Sequence, residues 1–138
     1  ELNGNDNLVG RIGEFIALQF LTLKLKRKSP RRNENAVQKG YDIVADGNRV
    51  SVKVITSENK IGRTTPIKDP WDELILVDLG DLQVNRIGFL KISEFKKALH
   101  DQFLTNKNPV ASRDMLNKNG LIGRYGKVYA AGEFDRYL

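Results

Sequence analysis

The side chains that can do chemistry in this chain are carboxylates, amines and hydroxyls. The 138 residues include no cysteine and one histidine, which excludes disulfides, cysteine nucleophiles, thiolate zinc sites and any site that needs two imidazoles. Asp42 lies just before an Asp-Gly turn, and Ser51 and Lys53 lie just after it. No histidine base lies near Ser51 in the sequence, which favours a simple strand serine over a nucleophile. The remaining candidates for chemistry are therefore the acid and the amine.

Residues 41–56 predict a β-hairpin that brings those side chains to one face. Two β-rich runs flank the tight turn Asp46–Asn48, which is a strong hairpin signal. If the first two turn residues form the loop, Asp42 faces Ser51; if the last two do, Asp42 faces Lys53. Opposed residues in an antiparallel pair share a face, as do residues two apart on one strand. Either register therefore places all three side chains together, provided that the loop has two residues.

A helix from Leu8 to Lys26 is predicted to lie over this hairpin. The first apolar row at helical spacing should face the core, and it comprises Leu8, Ile12, Phe15, Ile16, Phe20 and Leu23. A second row comprises Leu18, Leu21 and Leu25, and the N-cap candidates are Asn5, Asp6 and Asn7. Glu14 falls in the second row, where a carboxylate is out of keeping with its neighbours. Gly10 and Gly13 each cost about 1 kcal/mol of helix propensity, which close packing or close ligand approach would explain.

The acid and lysine of the hairpin, beneath a helix that carries Glu14, favour a Mg²⁺ site. Magnesium prefers a few carboxylates together with water and phosphate oxygens, and the lysine could orient or deprotonate an attacking water. Two plainer interpretations remain open. Asp42 and Lys53 could form a cross-strand ion pair, and Glu14 could be a helix-surface acid near Arg11.

The remaining elements complete an α/β sandwich with a mixed central sheet, in a single domain over residues 1–138. Residues 57–72 are predicted as a long loop, and residues 73–79 as a strand covered on both faces. Residues 86–92 predict a further strand. Ser93 is expected to cap a helix over residues 94–103, with Phe95, Leu99 and Phe103 facing inward. Beyond residue 106 we expect a short helix over 112–117, followed by irregular structure or strands through Tyr129.

The charge balance suits a polyanionic partner. Lys and Arg number 23 against 17 acids, a formal net charge of +6, which favours nucleic acid; the alternative is charge that only maintains solubility. The predicted phosphate contacts lie in two loops and comprise Lys24, Lys26, Arg27, Lys28, Arg31, Arg32, Lys60, Arg63 and Lys68. A solvated surface turn is the alternative for the first group. Apolar runs are far shorter than the ~20 residues of a membrane span, and no signal-peptide pattern is present. We therefore predict a soluble, cytoplasmic protein.

Three short motifs give the chain a resemblance to the PD-(D/E)XK nuclease superfamily. They are Gly-Arg-Ile-Gly-Glu at residues 10–14, Gly-Tyr-Asp at residues 40–42 and Ser-Val-Lys at residues 51–53. The strand at residues 73–79 is similar to the one that follows in the family. The resemblance implies a restriction endonuclease-like fold and a DNA endonuclease that uses Mg²⁺ or Mn²⁺. It also implies that Glu14 and Asp42 associate with metal, that Lys53 is the catalytic lysine, and that the protein forms a homodimer.

The chain departs from the motif at Ser51, where the family has an acid, and, less consequentially, at Tyr41, where the motif has proline. A serine is a neutral and weak ligand, so metal binding should weaken and cleavage could be lost. Ser51 could be a natural variant that uses another acid, the mark of an inactive nucleic-acid-binding relic, or an engineered substitution. The candidates for a replacement carboxylate are Asp46, Glu58 and Asp72. A protein-interaction domain with incidental charge is a third functional alternative.

Overall fold

A mixed six-stranded sheet forms the centre of the computed structural model, which describes residues 2–33, 41–59, 62–80 and 83–133. The strands are β1 (Arg31–Arg32), β2 (Ile43–Ala45), β3 (Asn48–Ile55), β4 (Arg63–Pro66), β5 (Glu73–Gly80), β6 (Gln83–Lys91), β7 (Val110–Ser112) and β8 (Lys127–Ala130). The sheet order is β1-β2-β3-β5-β6-β8, in which β3 and β5 run parallel and the other neighbours antiparallel. Strands β4 and β7 form a separate antiparallel pair. The predicted α/β class and mixed sheet are confirmed.

Helices cover the sheet on both faces. They are α1 (Leu2–Gln19), α2 (Ile92–His100) and α3 (Leu121–Tyr125). A π-helical turn over Phe20–Lys24 extends α1, and 3₁₀ turns cover Arg113–Leu116 and Ala131–Glu133. None of the helices in the described part of the chain combines the length and the apolar character that crossing a bilayer requires.

Strand β5 separates two apolar clusters and is buried on both faces, as predicted. Ile75 and Val77 pack into the cluster beneath α1, while Leu74 and Leu76 pack into the cluster beneath α2 and α3. Because alternate side chains of a strand point to opposite faces, a strand between two helical layers must be apolar at nearly every position.

The buried face of α1 differs from the predicted one. Ile16 and Phe20 are buried as expected, but Leu8 and Phe15 are 58% and 59% exposed, so their assignment to the core is wrong. The helix also begins at Leu2, so residues 5–7 lie inside it rather than capping it, and its α-helical part ends at Gln19 rather than Lys26. The buried face instead includes Gly13, which lies so close to Val54 that an added Cβ would overlap the valine methyl group.

We therefore expect Gly13→Ala to destabilise the fold by about 2 kcal/mol, because an extra methyl group must displace Val54 or lift α1 from the sheet. Gly10→Ala is the matched control, since a Cβ at Gly10 meets nothing within 4 Å. That change should stabilise the helix by up to about 1 kcal/mol. Urea denaturation of both variants measures the difference, and equal stabilities would contradict this account of the helix packing.

Three further predictions need correction. The predicted loop over residues 57–72 contains β4, whose partner β7 lies more than 40 residues away in the sequence and so could not be recognised locally. Helix α2 begins at Ile92, where the Glu94 carboxylate accepts a hydrogen bond from the Lys91 N–H at 2.8 Å; Ser93 therefore lies inside the helix. Phe103 lies beyond the end of α2 and is 37% exposed. Beyond residue 106, the 3₁₀ turn Arg113–Leu116 lies within the predicted short helix and β8 is one of the strands that the sequence allowed, whereas α3 was not predicted.

Candidate active site

An open cavity of about 620 Å³ lies along one edge of β3. Strand β2 pairs with the first part of β3, and among the described strands its register extends no further than Val50. Beyond that point, side chains from both faces of β3 line the cavity: Val52 and Val54 from the α1 side and Lys53 from the other. Residues of α1 and β4 form the walls. The cavity thus lies beside the part of β3 that extends beyond its pairing with β2.

The hairpin takes the first of the two predicted registers. Ala45 pairs with Asn48, so the loop consists of Asp46 and Gly47, with φ values of +53° and +82°. Such positive angles match the preference for Asp-Gly in two-residue hairpin turns. Continuing this register places Asp42 opposite Ser51, as the sequence predicted.

Asp42 ends the regular pairing and turns its carboxylate toward the cavity. Its N–H donates to the Val50 carbonyl at 2.8 Å, and its Oδ2 accepts a hydrogen bond from the Val52 N–H at 2.7 Å. The carboxylate therefore occupies the position where a further backbone partner of β3 would lie. Burial raises the pKa of Asp42, and the nearby Glu14 raises it further, while the Val52 N–H, Lys53 and Arg32 act in the opposite direction.

Glu14 approaches the same cavity from α1. Its side chain is 14% exposed, and its Oε1 accepts a hydrogen bond from Nε of Arg32 at 2.6 Å. The surface interpretation, with Arg11 as the neighbour, is therefore not the observed arrangement. Arg32 balances the charge of an acid that lies close to Asp42, a second acid.

Lys53 reaches the cavity from the opposite face of β3. Its Nζ donates to the Thr65 hydroxyl of β4 at 2.7 Å. Burial lowers the pKa of Lys53, and Lys68 adds to that effect, whereas Asp42 opposes it. A direct Asp42–Lys53 ion pair is not among the salt bridges of the described residues. The lysine and the acid influence one another across the cavity without contact.

Ser51 does not join this group. Its side chain alternates with the valines as predicted, but it is 2% exposed and is not among the residues that line the cavity. Its parallel partner is Leu74, which belongs to the cluster beneath α2 and α3. The structure thus brings Glu14, Asp42 and Lys53 to one cavity and leaves Ser51 buried outside its lining, so a catalytic role of Ser51 stays a prediction.

Of the three candidate replacement acids, Glu58 is the one on the cavity wall. Asp72 is instead paired with Arg49, whose Nε and backbone N–H both donate to Asp72 Oδ2, and Asp46 lies in the hairpin turn. Within the described ranges, no group of three or more acids or histidines is close enough to hold a metal ion. Glu14 and Asp42 are the two predicted metal-associated acids that line the cavity.

The predicted phosphate contacts divide by position. Arg63 lines the cavity, and Lys68 is exposed near Lys53. Exposed side chains that follow α1 are Lys26, Lys28 and Arg31, whereas Arg32 is engaged by Glu14. Lys60 lies outside the described residues. These positions leave Arg63 and Lys68 as the cations best placed to meet a phosphate at the cavity.

Arg27 has a structural partner. Its guanidinium donates two hydrogen bonds to the buried Glu73 carboxylate, at 3.0 and 2.6 Å, and Asn48 donates a weaker one at 3.4 Å. The ion pair ties the segment after α1 to the start of β5. We therefore leave Arg27 out of the phosphate-contacting set at this cavity.

Replacing Arg27 should affect the stability of the fold more than it affects the binding of a phosphate at the cavity. We expect Arg27→Met to lower the free energy of unfolding by about 2 kcal/mol, since it leaves a buried carboxylate with one weak donor. The double variant Arg27→Met/Glu73→Gln should recover part of the loss, because no unpaired charge remains. Urea denaturation measures both; an Arg27→Met variant as stable as wild type would contradict a structural role.

Sequence reasoning missed Thr65 and the Val52 N–H. Both matter because they hold Lys53 and Asp42, yet a threonine within a polar segment and a backbone amide carry no chemical signature. Glu58 was named as one of three alternatives, with nothing in the sequence to rank it first.

Comparison with known proteins adds no family assignment: no protein-family model matches the chain, and no curated protein matches it by sequence. The interpretation of the site therefore rests on its own geometry.

The donor set is compatible with a hard divalent cation. Two carboxylates from different elements face one open cavity, and the raised pKa of Asp42 reflects negative charge and burial that a cation would relieve. Mg²⁺ commonly takes one or two protein carboxylates, with water and substrate phosphate oxygens as the remaining ligands. Asp42 and Glu14 would hold the ion, and Glu14 would exchange its contact with Arg32 for it.

Proposed function

We propose that this protein is a Mg²⁺-dependent DNA endonuclease with a restriction endonuclease-like fold. The observation that supports the proposal is that Glu14 of α1, Asp42 just before β2 and Lys53 of β3 line one open cavity. The basic charge balance and the position of Arg63 on the cavity wall favour a phosphodiester substrate.

Each residue has a distinct task in phosphodiester hydrolysis. Asp42 and Glu14 would hold a divalent cation, which would supply stabilisation for the negative charge that develops on the phosphate. Lys53, held by Thr65, orients the attacking water and stabilises the hydroxide that forms when the water passes its proton to the surrounding solvent. Arg63 binds a non-bridging phosphate oxygen. Water adds to phosphorus, the P–O bond to one deoxyribose breaks, and that oxygen acquires a proton.

The test is cleavage by the purified protein of supercoiled, linear and branched DNA, in Mg²⁺ and in Mn²⁺, with EDTA as the blank. We expect metal-dependent cleavage of at least one substrate. The absence of cleavage of every substrate would contradict the endonuclease proposal.

The neutral Ser51 at the position of the motif acid supports a second candidate, a nucleic-acid-binding domain that no longer cleaves. It predicts salt-dependent DNA binding without hydrolysis. The cleavage assay and DNA binding across a salt series, both on wild type, separate the two functions. Salt-dependent binding without cleavage supports the silent domain, and cleavage by wild type excludes it. If wild type does not bind DNA even at low salt, a protein-interaction domain becomes the better interpretation.

A further inference from the structure

A second cavity, of about 500 Å³, lies between the segment that follows α1 and the strands β6 and β8. Its walls include the rings of Phe89 and Tyr129 and the side chains of Arg27, Lys91 and Lys127. The first cavity contacts α1 near residues 9–14 and the second contacts Leu25. At 1.5 Å per helical residue they are roughly 20 Å apart, so one ion cannot serve both.

Cations gather around one aromatic ring of this second cavity. Nζ of Lys24 lies 5.7 Å and Nζ of Lys127 lies 5.0 Å from the centre of the Tyr129 ring. Arg27 lies 5.7 Å from the centre of the Phe89 ring. The rings provide rigid, electron-rich surfaces that hold the cationic groups in place.

The carboxylates nearby are already engaged. Glu94 lines the cavity, but its Oε1 accepts the Lys91 N–H at the start of α2. Glu73 is bound by Arg27, which uses two of its five N–H donors in that contact. The lining thus has three cations, Arg27, Lys91 and Lys127, against the carboxylate of Glu94. Lys24 adds a further positive charge beside the Tyr129 ring, so the cavity attracts an anion.

We propose that this cavity is a second phosphate-binding site, formed by Lys127 and Lys91 on its wall, with Lys24 beside them on the Tyr129 ring. The phosphate belongs either to the backbone of the nucleic acid cleaved at the first cavity or to a free phosphate ester. The first alternative rests on the proposed function, and the second is independent of it. The site is preorganised, because Tyr129 is 6% exposed and packs against Phe20 in an edge-to-face contact.

The experiment compares wild type, Lys24→Gln/Lys127→Gln and the control Lys118→Gln, which removes an exposed lysine from the turn before α3. Duplex DNA binding is measured across a salt series in EDTA, which prevents cleavage. We expect the double variant to bind about 10-fold more weakly at low salt, with a slope of log K against log salt that is smaller by about 1 to 2. The control should match wild type.

Pyrophosphate is used as a small phosphate ligand that stands in for a free phosphate ester. If wild type does not bind DNA, but pyrophosphate raises its melting temperature and does not raise that of the double variant, the proposed function fails and the second site stands. If the double variant does not fold, Lys127→Gln alone is used, because Lys127 is exposed on β8; about half the effect is then expected. Equal losses in Lys118→Gln, or no response to either probe, would overturn the site.

Discussion

Replacing Asp42 by asparagine is expected to reduce the rate of metal-dependent cleavage about 1000-fold. The variant should fold with at least the stability of wild type at neutral pH. The substitution removes one of two carboxylates that face the cation, and a bound metal contributes several kcal/mol to phosphoryl chemistry. The amide oxygen can still accept the hydrogen bond from the Val52 N–H, which Asp42 Oδ2 accepts at 2.7 Å. Catalysis and folding therefore respond in opposite directions.

The pH dependence of stability follows from the same residue. The pKa of Asp42 is raised in the folded protein above its ordinary value of 3.8, so the folded state holds the proton more tightly than the unfolded state does. Wild type therefore loses stability as pH rises from about 3.8 through the raised pKa. Asp42→Asn lacks that loss, so the difference in unfolding free energy between the two proteins should grow in favour of the variant across this window.

Cleavage rates and urea denaturation at several pH values measure both effects. Asp46→Asn is the matched control: it makes the same chemical change in the hairpin turn, where asparagine tolerates the positive φ. It should keep wild-type cleavage. Undiminished cleavage by Asp42→Asn would remove the residue from the site, whatever its effect on stability.

Lys53→Met is expected to reduce cleavage about 100- to 1000-fold while DNA binding changes little. Proton transfer or stabilisation by a positioned side chain typically contributes that much, and one lysine among the 23 basic residues contributes little to overall affinity. Single-turnover cleavage and binding in EDTA separate the two quantities. Lys96→Met, on the exposed side of α2, is the control and should cleave normally.

Lys53→Met should not lower the free energy of unfolding at neutral pH. The pKa of Lys53 is lowered from 10.5 in the folded protein, so the folded state binds this proton less tightly than the unfolded state. The resulting penalty is fully present below the lowered pKa, and it disappears as pH rises toward 10.5. Methionine carries no charge, so Lys53→Met should be no less stable than wild type at neutral pH. A large loss of stability would mean that Lys53 is a structural residue.

The hairpin was predictable because its information is local. Asp46-Gly47 specifies a two-residue turn, the turn specifies the register, and the register specifies which side chains share a face. The continuous apolar run of β5 was equally informative, since only a strand between two layers tolerates it. The positions of Asp42 and Lys53 at one cavity follow from these two patterns.

The remaining features depend on contacts between distant parts of the chain. The face that α1 buries depends on packing such as the close approach of Gly13 to Val54, and helical spacing alone favoured the first apolar row, of which Leu8 and Phe15 are exposed. The burial of Ser51 depends on its neighbours in the second cluster, and the tether of Lys53 depends on β4, which exists only because β7 pairs with it. Arg27 was grouped with surface cations because its partner Glu73 lies 46 residues away.

The most direct test is a crystal soaked in Mn²⁺ and measured at the manganese absorption edge. A single metal site formed by Asp42 and Glu14 should give an anomalous peak about 2.1 Å from a carboxylate oxygen of Asp42, with Glu14 moved from Arg32 toward the ion and Lys53 on the far side of the cavity. The peak should be absent from Asp42→Asn crystals. A fully occupied Mn²⁺ site elsewhere, with Glu14 still bound to Arg32 and no peak beside Asp42, would contradict a metal-dependent active site at this cavity.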